Sequence, residues 1–213
     1  MILPRCRGRN VMSPIWAASI FAVWFFIAFA IGQKSFQQQR SHSLVRYGAL
    51  LGSDFTLRES WRLIASQWLH VNFGHMVFNA FIIAFVGVAL EKWVRGGAIF
   101  TLGVTGGALA QLMSIYAYPS AYISGASQAY LVLCGMLLTI APFCKGRQWW
   151  AYTVSIAGIL VSIGLDLFAS GHGAIKIGHL CGLIFGLIAG LFLRWYFHYK
   201  GNLHPRADSA LNA

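Results

Sequence analysis

The run His70-Val-Asn-Phe-Gly-His75-Met-Val-Phe-Asn79 opens an otherwise apolar stretch that reaches Leu90. Two imidazoles and a carboxamide stand where their neighbours are hydrocarbon. Polar side chains inside a membrane span are costly to insert, so such a cluster reads as a working site facing the protein interior. Two further groups of this kind follow, Ser127 in Ser124-Gly125-Ala126-Ser127-Gln128 and His179 in Gly178-His179. A serine that starts a helix after a glycine turn exposes its Oγ beside free backbone N–H groups. Its hydroxyl is a weak nucleophile until a base takes the proton, and histidine is the usual base. Attack on an amide then creates an oxyanion, which needs donors already in place. His75 and Asn79 can each donate from a side chain, and Ser127 from its backbone.

Each residue alone has a plainer reading. Ser127 could be an N-cap, His179 could bond a backbone carbonyl, and His75 and Asn79 could tie helices together. Their convergence in one layer is what favours chemistry. A metal site using His70, His75 and His179 fits less well. His70 and His75 are five residues apart rather than four, and no intramembrane acid accompanies them except Asp166, near the outer end of its span. Cys6, Cys134, Cys144 and Cys181 form no CxxC pair, so neither a zinc site nor a disulfide framework is expected. Cys134 and Cys181 fall in apolar spans, as small hydrophobes.

The elements that must position these groups are membrane spans. The chain has 213 residues, 58% hydrophobic and 10% charged, with a mean hydropathy of +0.64. A soluble domain would carry about a quarter charged residues. Six apolar runs fit spanning helices at about 14–32, 70–90, 97–117, 127–143, 149–169 and 176–196. The expected fold is an all-α, polytopic six-helix bundle forming one domain over 1–213, with its core at about 55–197 and short tails. The first run is read as a retained span rather than a signal peptide. The loop 33–69 is polar, with amphipathic pieces at Tyr47–Leu51 and Trp61–Trp68 suited to the membrane interface. The net charge of +11 sits on residues flanking the spans, which points to the lipid bilayer and to topology rather than to nucleic acid. Arg5, Arg7, Arg9, Lys92, Arg95, Lys145, Arg147, Arg194, Lys200 and Arg206 share one side. Both termini are therefore expected in the cytoplasm, with a basic first loop (Lys34, Arg40, Arg46, Arg58, Arg62) running against the rule.

Helical rise sets the depths. His75 lies 16 residues before Glu91, Ser127 18 before Lys145 and His179 15 before Arg194. These separations place the three groups about 24, 27 and 22 Å above the cytoplasmic edge, in one layer. Asn79 lies one turn below His75 on the same face. Gly178, Gly182, Gly186 and Gly190 repeat every fourth residue in the sixth span, a stripe that lets another backbone approach and carries His179 with it. The polar groups cluster in the outer half of the membrane and no repeat is evident, which argues against a channel or transporter.

On these residues the chain resembles the rhomboid family of intramembrane serine proteases: His70, His75 and Asn79; Gly125-Ala-Ser127; and Gly178-His179 with Gly182 and Gly186. Trp61-Arg62 looks like the Trp-Arg pair of that family's membrane-dipping first loop. The resemblance covers about residues 55–195. It implies a Ser127–His179 dyad with no acid partner, and an oxyanion site using His75, Asn79 and the Ser127 amide. It also implies cleavage of transmembrane protein substrates near the outer face of a cell (inner) membrane, without metal or cofactor. Two positions depart from the family pattern. Gln128 stands where glycine usually follows the nucleophile, able to crowd the oxyanion or to donate to it. Leu131 stands where an aromatic usually packs on the histidine, with Tyr130 one residue early. The compact chain and Gln128 also fit a specialised form that trims C-terminal sorting tails, as rhombosortases do. The competing expectation is a catalytically inactive rhomboid-like protein that binds or escorts membrane clients.

Overall fold

Each apolar run of the sequence forms a helix. A computed structural model describes residues 11–30, 41–143, 149–169 and 174–203. Among them are α1 Met12–Ala30, α2 Ser41–Val45, α3 Arg62–Ala65, α4 Phe73–Leu90, α5 Gly96–Ala117, α6 Ser127–Ile140, α7 Trp149–Gly164 and α8 Ile177–Leu203. A single π turn, Leu165–Ala169, continues α7. The basic residues Arg5, Arg7, Arg9, Lys34, Arg40, Lys145, Arg147 and Arg206, with Cys6 and Cys144, lie outside the described residues.

Five of the helices are long and apolar enough to cross a membrane: α1, α4, α5, α7 with its π turn, and α8. The fourth expected span differs. In place of a helix over 127–143 the chain forms the 14-residue α6 and a 3₁₀ turn, Ala141–Phe143. Fourteen residues rise only about 21 Å. This helix can be short because it faces protein rather than lipid: every residue from Ser127 to Leu137 is buried. It stands at the centre of the bundle, packed against α4, α5, α7 and α8. The non-helical chain above it is tolerated at membrane depth because protein groups satisfy its backbone.

The glycine stripe of α8 makes the closest contact. A Cβ on Gly182 would lie 2.6 Å from the Gln128 carbonyl oxygen, and one on Gly186 would collide with that of Val132. On the facing side, Gly135 of α6 lies against the α8 backbone at Leu183 and Leu187. Only hydrogen side chains permit this separation of the two helices.

At the opposite end of the bundle from Ser127, the buried Glu91 follows α4 and caps α1. Its Oε1 accepts from the Ser13 N–H (2.6 Å) and the Ser13 hydroxyl (2.7 Å). The carboxylate satisfies orphan donors at the positive end of α1. The chain between α1 and α4 folds as α2, α3, 3₁₀ turns and a strand, β1 (Leu50–Leu51), which pairs antiparallel with β2 (Tyr122–Ile123). Leu50 opposite Ile123 ties this segment to the chain that leads into Ser127.

Candidate active site

Ser127 is the first residue of α6, and a tight turn presents it. Gly125 has φ +111°, a conformation that L side chains rarely adopt. It also needs the space, since a Cβ there would come 3.3 Å from His75 Cε1. Four side-chain and backbone groups hold the turn. The Gly125 N–H donates to the Ser66 carbonyl (2.9 Å). Gln111 Nε2 donates to the Gly125 carbonyl (3.3 Å), and the Ser66 hydroxyl donates to Gln111 Oε1 (2.5 Å). The Ala126 N–H donates to His70 Nε2 (3.3 Å).

That last bond assigns the tautomer of His70. Its Nε2 is an acceptor, so Nδ1 carries the proton and points at the Trp68 carbonyl, 3.3 Å away. Asn79 Nδ2 lies 2.8 Å from His70 Nε2 and 3.3 Å from His75 Nε2, so the carboxamide links the two rings. Asn72 caps α4 by accepting the His75 N–H (3.3 Å), which fixes the turn that carries His75. His70, His75, Asn79 and Gly125 therefore form one connected group beside Ser127.

His179 lies in the first turn of α8. Its Nε2 stands 2.8 Å from Ser127 Oγ. Its Nδ1 stands 2.7 Å from Asp166 Oδ2 and 3.1 Å from Ser162 Oγ. Asp166, in the π turn after α7, has a fully buried side chain. Its carboxylate also accepts the Lys176 N–H at Oδ2 (2.9 Å) and faces Lys176 Nζ at Oδ1 (3.4 Å). The Ser127 hydroxyl has a second acceptor in Gln128 Oε1, 3.2 Å away.

A cavity of about 350 Å³ opens here, lined among others by His75, Ser127, Gln128, Tyr130, Asp166 and His179. His75, Ser127 and His179 all line it, and of these Ser127 and His179 are in direct contact. Asn79 stands behind His75 and is fully buried. Tyr130 occupies the wall, edge-on to Phe78 with ring centroids 5.9 Å apart, and Leu131 is buried in the core. Gly182 contributes through close packing against Gln128. Trp61 and Arg62 lie away from the cavity. The Arg62 guanidinium sits 4.8 Å from the Trp61 ring centroid, pairs with Glu59 (2.9 Å), and donates to the Val45 and Ala49 carbonyls. The two residues organise the segment between α1 and α4.

Sequence reasoning missed three residues. Ser66 and Gln111 carried no motif. Asp166 was visible as an intramembrane acid, itself a signal, yet His179 was expected to have no acid partner. The structure corrects that expectation: the carboxylate contacts the ring directly.

The sequence model of the Rhomboid domain family matches residues 57–196. Rhomboid-like protease 2 of Toxoplasma gondii is 24% identical over 95% of this chain and 73% of its own length. Rhomboid protease GluP of Bacillus subtilis is 31% identical over 72% of this chain and 30% of its own length. Inactive RHOMBOID-like protein 8 of Arabidopsis thaliana is 23% identical over 74% of this chain and 52% of its own length. The chain thus spans about half or less of the last two relatives. Similarity over this extent, on a bundle of apolar helices around a cavity lined by Ser127 and His179, means that the chain belongs to the rhomboid family of multi-pass membrane proteins, which holds serine intramembrane proteases and inactive relatives of them.

Proposed function

We propose that this chain is an intramembrane serine endopeptidase that cleaves transmembrane segments of other proteins through Ser127 and His179. The observation that carries the reading is the 2.8 Å approach of Ser127 Oγ to His179 Nε2 on the wall of a cavity. Hydrogen-bond reach between nucleophile and base is the geometric requirement for activation. Ser127 Oγ attacks the scissile carbonyl as His179 Nε2 takes its proton. The carbonyl oxygen becomes an oxyanion, and His179 returns the proton to the leaving amine as the C–N bond breaks. Water then hydrolyses the acyl-enzyme by the same path.

The oxyanion falls to the Ser127 N–H at the start of α6, with His75 and Asn79 at the side. Gln128 narrows the substrate side of the cavity. Cleavage takes place near the outer membrane face, and both termini lie in the cytoplasm of a cell whose inner membrane holds the protein. This orientation rests on the basic residues that flank the spans. The substrate helix enters sideways past α7 and its π turn, whose Leu160, Leu165 and Phe168 are exposed, and unwinds before its amide can be attacked.

The test is cleavage of a reporter transmembrane segment by the full chain in proteoliposomes. Ser127→Ala and His179→Ala each abolish it under this reading, and cleavage persisting in both would end it. A second reading is an inactive client-binding relative. Gln128 favours it, because its Oε1 competes with His179 for the Ser127 hydrogen. Specific binding of the reporter segment without turnover by the parent chain would favour that reading.

A further inference from the structure

We propose that Asp166 is a positioning residue that turns the serine–histidine pair into a triad. The inference rests on the serine-protease reading above and goes beyond the dyad that it invokes. Asp166 Oδ2 and Ser127 Oγ contact opposite nitrogens of the same ring, at 2.7 and 2.8 Å. A neutral imidazole has one N–H and one lone pair. With a carboxylate on Nδ1, the proton resides there and Nε2 is left as the acceptor. That is the tautomer a base needs to receive the Ser127 proton. The acid also decides the competition at Ser127, since an accepting Nε2 draws the hydroxyl hydrogen away from Gln128 Oε1.

The carboxylate is held for this task from several sides. Its own side chain is fully buried. Lys176 donates its N–H to Oδ2 and brings Nζ to 3.4 Å from Oδ1. Ser162, one turn earlier on α7, brings its hydroxyl 3.1 Å from the same ring nitrogen and so steadies the ring rather than the carboxylate. The π turn Leu165–Ala169 inserts an extra residue into the helical period and re-aims the side chain at α8; such turns recur at functional sites.

During attack, Ser127 loses its proton to Nε2 while Oγ bonds the carbonyl carbon. The ring becomes an imidazolium and its Nδ1 proton stays on nitrogen, facing the Asp166 carboxylate. The Nε2 proton leaves with the departing amine. Asp166 gains and loses no proton; it fixes the ring and lowers the energy of its charged form. Because the acid belongs to the α7 segment and the base to α8, the triad is complete only while that segment is seated against α8.

The test uses the full chain in proteoliposomes with Asp166→Asn, Asp166→Glu and Ser127→Ala, reading kcat and KM separately, and ¹⁵N-histidine spectra of His179. Asp166→Asn lowers kcat about 10²- to 10⁴-fold with KM unchanged, Asp166→Glu recovers part of the loss, and the parent ring shows the Nδ1–H tautomer. Parental kcat in Asp166→Asn alongside an inactive Ser127→Ala overturns the role of Asp166 alone. Cleavage surviving Ser127→Ala removes the serine reading itself. The spectrum of the unmutated chain needs no variant to fold, and a dominant Nε2–H tautomer there overturns the proposal.

Discussion

Ser127 opens α6 and His179 sits in the first turn of α8, and the two side chains meet at 2.8 Å. Helix packing produces the meeting. The glycines of α8 let its backbone lie on that of α6, so two helix starts come level in the same layer. The proposed chemistry therefore depends on residues that carry no functional group.

Gly182→Ala tests that dependence. Its Cβ would lie 2.6 Å from the Gln128 carbonyl oxygen, a fixed backbone atom, so α8 must move away. Overpacking of this kind costs about 1–3 kcal/mol, and here it also draws His179 off Ser127. Unfolding in detergent and reporter cleavage should both suffer. Gly97→Ala is the control, since a Cβ there meets nothing within 4 Å. Equal effects of the two substitutions would contradict the packing account.

His70→Phe keeps an aromatic ring but removes the acceptor for the Ala126 N–H. A buried donor left unpaired costs about 1–3 kcal/mol. The turn that presents Ser127 then loosens, so kcat falls together with the unfolding midpoint. A variant of parental stability and activity would remove His70 from the group that holds the turn.

Glu91→Ala separates stability from chemistry. The carboxylate caps α1 at the end of the bundle away from the cavity. Loss of such a cap costs about 0.5–2 kcal/mol. The midpoint of unfolding should drop while kcat of the folded fraction stays at the parental value. A fall in kcat at full folding would show coupling between the two ends of the bundle.

Much of this arrangement is legible in the amino-acid sequence. The spans follow from apolar runs longer than a soluble helix needs. Counting rise from Glu91 and Arg194 placed His75 and His179 at one depth, because helices in lipid keep a regular pitch. What the sequence hid was azimuth. Depth says nothing of which way Asp166 faces, and the π turn breaks the 3.6-residue period from which a face would be read. Ser66 and Gln111 were invisible for another reason: they hold a turn through bonds to backbone atoms, which leave no side-chain pattern. The shortness of α6 is not legible either, because apolar character alone does not separate a helix facing lipid from one enclosed by other helices.

The most direct measurement is labelling of the purified chain by a fluorophosphonate, with the modified residue identified by mass spectrometry and the rate compared with that of His179→Ala. The probe reports proton transfer from one hydroxyl to one imidazole without requiring a known substrate. The account predicts label on Ser127 alone among the serines, lost when His179 is replaced. Label elsewhere, or an equal rate at Ser127 in His179→Ala, would contradict it.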